Sequence, residues 1–206
     1  MPRRRHHGRM TPSAAYSVHP TPIGEALVVT TDEGLAVLHL LEIAVGAREA
    51  ALAEVSAQLH AVPVPDEAAT AAVTTQLDEY FAGIRRDFDL ALDLSGVDGF
   101  ARRALEAICT IPYGETASYG EVAILAGSPG AHRAAGSACA RTPISIVVPA
   151  HRVVRSDGSI GEYGGHPERK RFLLDLEATA GAGAGADRSA GAGADRGAGG
   201  PDSAAV

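Results

Sequence analysis

In the first half of the chain, hydrophobic positions come in short runs broken by turn residues. Tyr16–His19 and Ala26–Thr30 read as strands joined by Thr21-Pro22-Ile23-Gly24. Asp32-Glu33-Gly34 is a second turn and Leu35–Ile43 a third strand. Arg48–Leu59 is alanine-rich and helical, and over residues 68–82 Val73, Leu77, Tyr80 and Phe81 fall at i, i+4, i+7 and i+8, one helical face. Residues 87–94 then alternate strictly. Phe88, Leu90, Leu92 and Leu94 share one side and Asp87, Asp89 and Asp93 the other, which predicts a half-buried strand. Its three carboxylates suit either a metal site or an edge guarded by charge against aggregation.

The second half has a helical period. Phe100, Ala104 and Ile108 step by four, so 99–109 is a core-packing helix, broken by IPYGE at 111–115. Ser118-Tyr119-Gly120-Glu121 has the form of a capping box opening a short helix that ends at Gly127. Ser128-Pro129 reads as the start of another, with Ser as N-cap and Pro in the first turn, which makes a helix-turn-helix. Beyond His132 and Arg133, that second helix is nearly bare: Ala, Gly, Ser and Cys139. Small side chains suit tight helix packing, or close approach to a narrow groove in nucleic acid, where one inserted side chain and shape do the work. The run PISIVVPAHRVV (143–154) ends on Pro149, Ala150 and the polar pair His151 and Arg152, like the lip of a reaction site. A turn at 156–159 and the glycine-rich loop Gly161–His166, carrying Tyr163 and Gly164, follow. Pro167-Glu168 opens a last helix with Phe172, Leu173 and Leu176 inward, closed by Glu177.

These periods divide the chain into a basic tail (1–15), an α/β unit (16–98), a mainly helical unit (99–177) and a low-complexity tail (178–206) in which AGAGADR occurs twice. Both tails are expected to be disordered. Charge is segregated. Residues 10–98 hold three arginines against 14 acids, whereas 99–177 hold nine cationic groups against eight acidic ones, so only the helical unit can approach a polyanion without strong repulsion. No apolar stretch approaches the roughly 20 residues that span a bilayer. Two cysteines, Cys109 and Cys139, form neither a disulfide framework nor a metal-ligand spacing. The expected setting is cytoplasmic, without cofactor or metal. His151, His166 and Glu162 fit no common zinc pattern.

The ordered motifs IPYGETASYGEVA, GAHRAAGSA, PISIVVPAHRVVRSDGSIGEYGG and KRFLLDLE, with TPIG and QLDEYFAG upstream, resemble the O6-alkylguanine-DNA alkyltransferases over about Tyr16–Glu177. The resemblance implies a small ribonuclease-H-like α/β domain followed by a winged helix-turn-helix-like DNA-binding domain. It implies a protein that binds duplex DNA by the minor groove and turns O6-alkylguanine into a pocket. The alkyl group would pass to a cysteine that the following histidine activates through a water held by a glutamate, at positions matched by His151 and Glu177. Arg133 matches the finger that enters the base stack, Tyr119 the tyrosine that crowds a phosphate, and Tyr163 the pocket aromatic. Ala134, Gly136 and Arg152 complete the expected DNA contacts, and Val148, Pro149 and Gly164 the base pocket.

At the acceptor position stands Ala150, and where the family pattern has Asn-Pro this chain has Thr142-Pro143. A methyl side chain cannot accept an alkyl group, so transfer is expected to be lost. The leading expectation is a monomeric, alkyltransferase-like protein that holds the lesion and hands it to nucleotide-excision repair proteins, as relatives with Trp at that position do. The alternatives are an active alkyltransferase using another residue, with Cys139 and Cys109 read as inert small core groups, and a helix-turn-helix transcription regulator.

Overall fold

The computed structural model describes residues 13–186, with side chains described to Thr179. The basic run 1–9 and the second AGAGADR lie outside the described residues. Three antiparallel strands, β1 (Ala14–Thr21), β2 (Gly24–Thr31) and β3 (Gly34–Leu40), are joined by the two tight turns expected from sequence. A two-residue strand, β4 (Val64–Pro65), pairs parallel to β1 and completes a sheet of order β3-β2-β1-β4. Ala14 and Ala15, read as part of a disordered tail, are the first residues of β1, pairing with Thr31 and Thr30. The third strand stops at Leu40, and Ile43 is fully exposed.

Both faces of the sheet are covered. Helix α1 (Ala47–Leu59) sits over Leu27, Val29 and Val37, while α2 (Glu67–Phe81) brings Val73, Leu77 and Tyr80 against the face carrying Ala26, Val28 and Leu38. Two-sided burial explains why Ala26–Val29 is a continuous apolar run rather than an alternating one.

Residues 87–94 form no regular strand. The alternation is real: Phe88, Leu90 and Leu92 pack on the core and Leu94 is buried. Pairing, however, is limited to one bridge, in which Leu35 N–H donates to Ala91 O and Asp93 N–H donates to Leu35 O. Asp93 bonds the Thr31 hydroxyl and the Ser95 N–H, so it caps local backbone and is not part of a metal site.

Helices α3 (Gly99–Ile108), α4 (Tyr119–Leu125) and α5 (His132–Ala140) make the second unit. The capping box at Ser118 and Glu121 is complete in both directions. Helix α5 begins three residues later than Ser128-Pro129 suggests. Gly130 at φ 89° and the Ala131 N–H bonded to Ser128 O make a turn there, and Ala131 caps without a side-chain bond. The last helix, α6 (Pro167–Ala186), runs past Glu177 rather than stopping at it. Leu173 is buried, but Phe172 is 39 % exposed, its ring 6.4 Å from that of Phe81.

The units share one core. Val28 and Leu38 of the sheet belong to the same buried cluster as Leu105, Ile144, Val148 and Leu173. The join is also hydrogen-bonded: Leu38 N–H donates to Pro143 O and Ser145 N–H to Leu38 O, laying the start of the PISIVV run along the β3 edge. That edge, an aggregation hazard if left bare, is thus covered by residues 91–93 and 143–145.

Candidate DNA-lesion site

After its bridge to β3 the 143–154 segment folds back sharply. Val147 N–H bonds Ser145 O at 2.8 Å around Ile146, whose φ of 70° is rare for a β-branched residue. Ala150 N–H bonds Val148 O at 2.7 Å around Pro149, at φ −80° and ψ 59°. Two three-residue turns, 145–147 and 148–150, thus follow one another directly. A left-handed Ile costs about 1–3 kcal/mol, and here the surrounding burial holds it. Ala150–Arg152 then form one 3₁₀ turn, and Val153–Val154 (β6) pair parallel with Ala117–Ser118 (β5). That pairing ties the turn to the N-cap of α4.

All three residues of the turn are buried, and the polar two converge on Glu177. His151 Nε2 lies 2.8 Å from Glu177 Oε1, Arg152 Nη2 donates to Oε1 at 3.0 Å and Arg152 Nε to Oε2 at 3.0 Å. The Tyr80 hydroxyl donates to Oε1 at 2.8 Å and Gly114 N–H to Oε2 at 3.0 Å. Burial pushes the Glu177 carboxyl up, but the bonds from His151 and Arg152 outweigh it and hold the group down at about 2. An ionised carboxylate accepts only, so the His151 proton sits on Nε2. Burial outweighs the Glu177 bond at His151 and lowers its pKa, which keeps the ring neutral, and its Nδ1 is buried without a partner. Arg152 also donates to Ile111 O at 2.6 Å, and its guanidinium lies 5.6 Å from the Tyr113 ring centre.

A cavity of about 550 Å³ opens between the two units. From the second unit it is walled by Ala150, Tyr119, Gly136, Cys139, Thr142, Tyr163 and Gly164, and from the first by His39, Glu42, Val55 and Gln58, among others. Gly136 faces the Tyr119 ring, where an added Cβ would come within 3.8 Å, and the Tyr119 hydroxyl lies against the Gly161 backbone. The Thr142 hydroxyl is buried without a partner, so Thr142 does not order the segment by a side-chain bond as an Asn would. On the outer side, α5 exposes His132, Arg133, Ala134, Ser137 and Ala140.

The expected site residues therefore separate into three groups. Ala150, Tyr119, Gly136, Tyr163 and Gly164 meet around the cavity, His151 and Glu177 meet beneath it, and Arg133 and Ala134 share the exposed face of α5. Two expectations are corrected. Arg152 is not on a DNA-facing surface; it is 6 % exposed and committed to Glu177 and Ile111. Val148 and Pro149 are core groups and do not line the cavity. The cysteines are not both core groups: Cys139 lines the cavity, its thiol pushed up to about 11 by burial, and Cys109 is exposed at the end of α3, its thiol also raised by burial.

Sequence reading missed two residues. Tyr80 read only as helix-face core, yet a tyrosine on a wholly apolar face needs a partner for its hydroxyl, and that was the available signal. Lys170, the single lysine among 17 arginines, is 1 % exposed and donates to Val153 O at 2.6 Å; burial brings its ammonium down to about 8. His151 and His166 bond different carboxylates, and among the described residues no group of three or more His, Cys, Asp or Glu could hold a metal ion. No helix among them is long and apolar enough to cross a membrane.

A sheet-based unit and a mainly helical unit, fused through one core and enclosing a cavity beside a buried His–Glu–Arg cluster, define a two-domain protein of the DNA-alkyltransferase class. Residues 14–94 match the ribonuclease-like domain, and residues 99–179 the DNA binding domain, of 6-O-methylguanine DNA methyltransferase. The chain is 51% identical over 113 residues to the methylated-DNA–protein-cysteine methyltransferase of Mycobacterium tuberculosis, covering 55% of this chain and 68% of that one. It is 36% identical over 162 residues to that of Methanosarcina barkeri, covering 79% and 96%. The crystal structure of the M. tuberculosis O6-methylguanine methyltransferase aligns with TM-score 0.69 and 40% identity over 81% of this chain and 93% of that one. A structure of the same protein in complex with DNA aligns equally well, over 81% and 94%. The chain belongs to the 6-O-methylguanine DNA methyltransferase family.

Proposed function

We propose that this protein is a DNA repair factor that binds duplex DNA through the exposed face of α5, turns O6-alkylguanine into the interdomain cavity, and holds it there without transfer at residue 150. The observation that carries this reading is Ala150: it lines the cavity beside an otherwise complete His151–Glu177–Arg152 cluster. Transfer needs a nucleophile that displaces guanine O6 from the alkyl carbon, and the Ala150 methyl has no lone pair. What remains can bind. Arg133 is free of the core and set on a helix bare enough to approach the minor groove. Turning a base out of the stack costs a few kcal/mol, which contacts to Tyr119 and Tyr163 in the cavity offset. Docking of a nucleotide-excision repair partner on the held lesion belongs to this reading.

A second reading is favoured by one observation: Cys139 lines the same cavity as Ala150. In that reading the protein is an active alkyltransferase whose Cys139 sulfur takes the alkyl group. Against it, burial holds the thiol at about 11, so little thiolate is present at neutral pH.

The test uses duplex DNA labelled on the O6-methyl group. The unaltered protein retains that duplex in preference to the matched guanine duplex and takes up no covalent label. The Ala150→Cys variant becomes labelled with one equivalent. Stoichiometric label on Cys139 of the unaltered protein would establish the second reading. Equal affinity for the two duplexes would sink the first.

A further inference from the structure

The cavity wall formed by Gly161–His166 is poorly anchored by its own residues. Gly161, Gly164 and Gly165 are all at positive φ. The loop ends at His166, and there the first domain reaches across. His166 Nε2 lies 2.9 Å from Glu42 Oε2, and its Nδ1 lies 2.8 Å from Glu168 Oε1. Glu42 follows β3, the strand that templates residues 143–145, and itself lines the cavity. Beside it, Arg169 donates to Leu41 O at 3.1 Å.

We propose that Glu42 is a positioning residue for lesion binding: through His166 it clamps the Tyr163 loop to the first domain and so holds the cavity wall in its lesion-binding shape. The proposal rests on the lesion-binding reading given above. Two carboxylates accept from opposite sides of one imidazole, which requires the doubly protonated ring. The titratable and charged groups that face it are Glu42 from the first domain and Glu168 and Arg169 from α6, with His39 beside Glu42. The Glu42 bond, then the Glu168 bond, raise the His166 pKa above its ordinary 6.5, against Arg169. The clamp is therefore intact at mildly acid pH and is lost as pH climbs through that raised value.

The readout is the ratio of affinities for an O6-methylguanine duplex and the matched guanine duplex. An exposed ion pair of this kind changes it by about threefold. Between pH 6 and pH 9 the ratio for the unaltered protein falls by that factor. Glu42→Gln has the low ratio at both pH values. His166→Lys, charged throughout this range, keeps the high ratio at pH 9. A Glu42→Gln ratio equal to that of the unaltered protein at pH 6 overturns the proposal. Should the unaltered protein show no lesion preference, the function proposed above fails, and the clamp is read without DNA. Amide exchange over residues 161–166 at pH 6 then quickens about threefold in Glu42→Gln, and unchanged exchange overturns the clamp itself.

Discussion

Replacing Glu177 by Gln should unfold much of the site's support while changing almost no volume. The carboxylate accepts from Tyr80, His151, Gly114 and two nitrogens of Arg152, all donors. A carboxamide offers one accepting oxygen, and whichever way it is turned its NH₂ group meets an Arg152 N–H, which cannot accept. It also leaves the Arg152 guanidinium charged, buried and without its counter-ion. Two routes give the magnitude. Holding a carboxyl at about 2 rather than its ordinary 4.5 corresponds to about 3 kcal/mol of native-state preference for the charged form. Breaking a buried ion pair by removing one partner costs about 3–5 kcal/mol. The expected loss at pH 7 is therefore about 3 kcal/mol, which moves a urea midpoint by roughly 1–3 M. The pH dependence has a definite sign. A depressed carboxyl contributes its full stability above about 4.5 and loses it as pH falls through about 2. Urea curves for both proteins from pH 8 to pH 3 should show a constant gap down to about pH 5 that narrows below it. A loss under about 1 kcal/mol at pH 7, or a gap that widens in acid, would refute the reasoning.

Two other substitutions separate binding from folding. Arg133→Ala, on the exposed face of α5, should leave the urea midpoint within about 0.5 kcal/mol while weakening duplex binding in a fluorescence titration; unaltered DNA affinity counts against α5 as the contact face. Gly34→Ala should destabilise by more than about 2 kcal/mol, because Gly34 sits at φ 131° and an added Cβ would collide with the Ala91 carbonyl; a thermal melt within about 2 °C of the unaltered protein would count against that packing.

Much of this arrangement is legible from local pattern. The two hairpin turns, the i, i+4, i+7 face of α2 and the Ser118–Glu121 capping box are short-range statements, and each element formed. Where reading failed, a competing local or long-range effect won. Ser128-Pro129 has the composition of a helix start, but Gly130 at positive φ delays α5 to His132. Residues 87–94 alternate as a strand should, yet neighbouring residues pair with β3 at one point only, because Ile144 takes the next place along that edge. Arg152, a cation at a site lip, looked outward until Glu177, 25 positions away, was seen to claim it.

The sequence by itself determined the chemistry that is missing. Position 150 is an alanine, and no tertiary arrangement supplies a nucleophile to a methyl group. It also determined the two units and the bare helix between Arg133 and Ala140, because periodicity and side-chain size are local properties. Only the tertiary structure decided which polar groups are paired and where the cavity lies. Pairing Tyr80 and Arg152 with Glu177, and His166 with Glu42, brings together residues 97, 25 and 124 positions apart. Burial then sets their charge states. Desolvation and partner charge depend on what surrounds an atom in space, and sequence order carries almost none of that information.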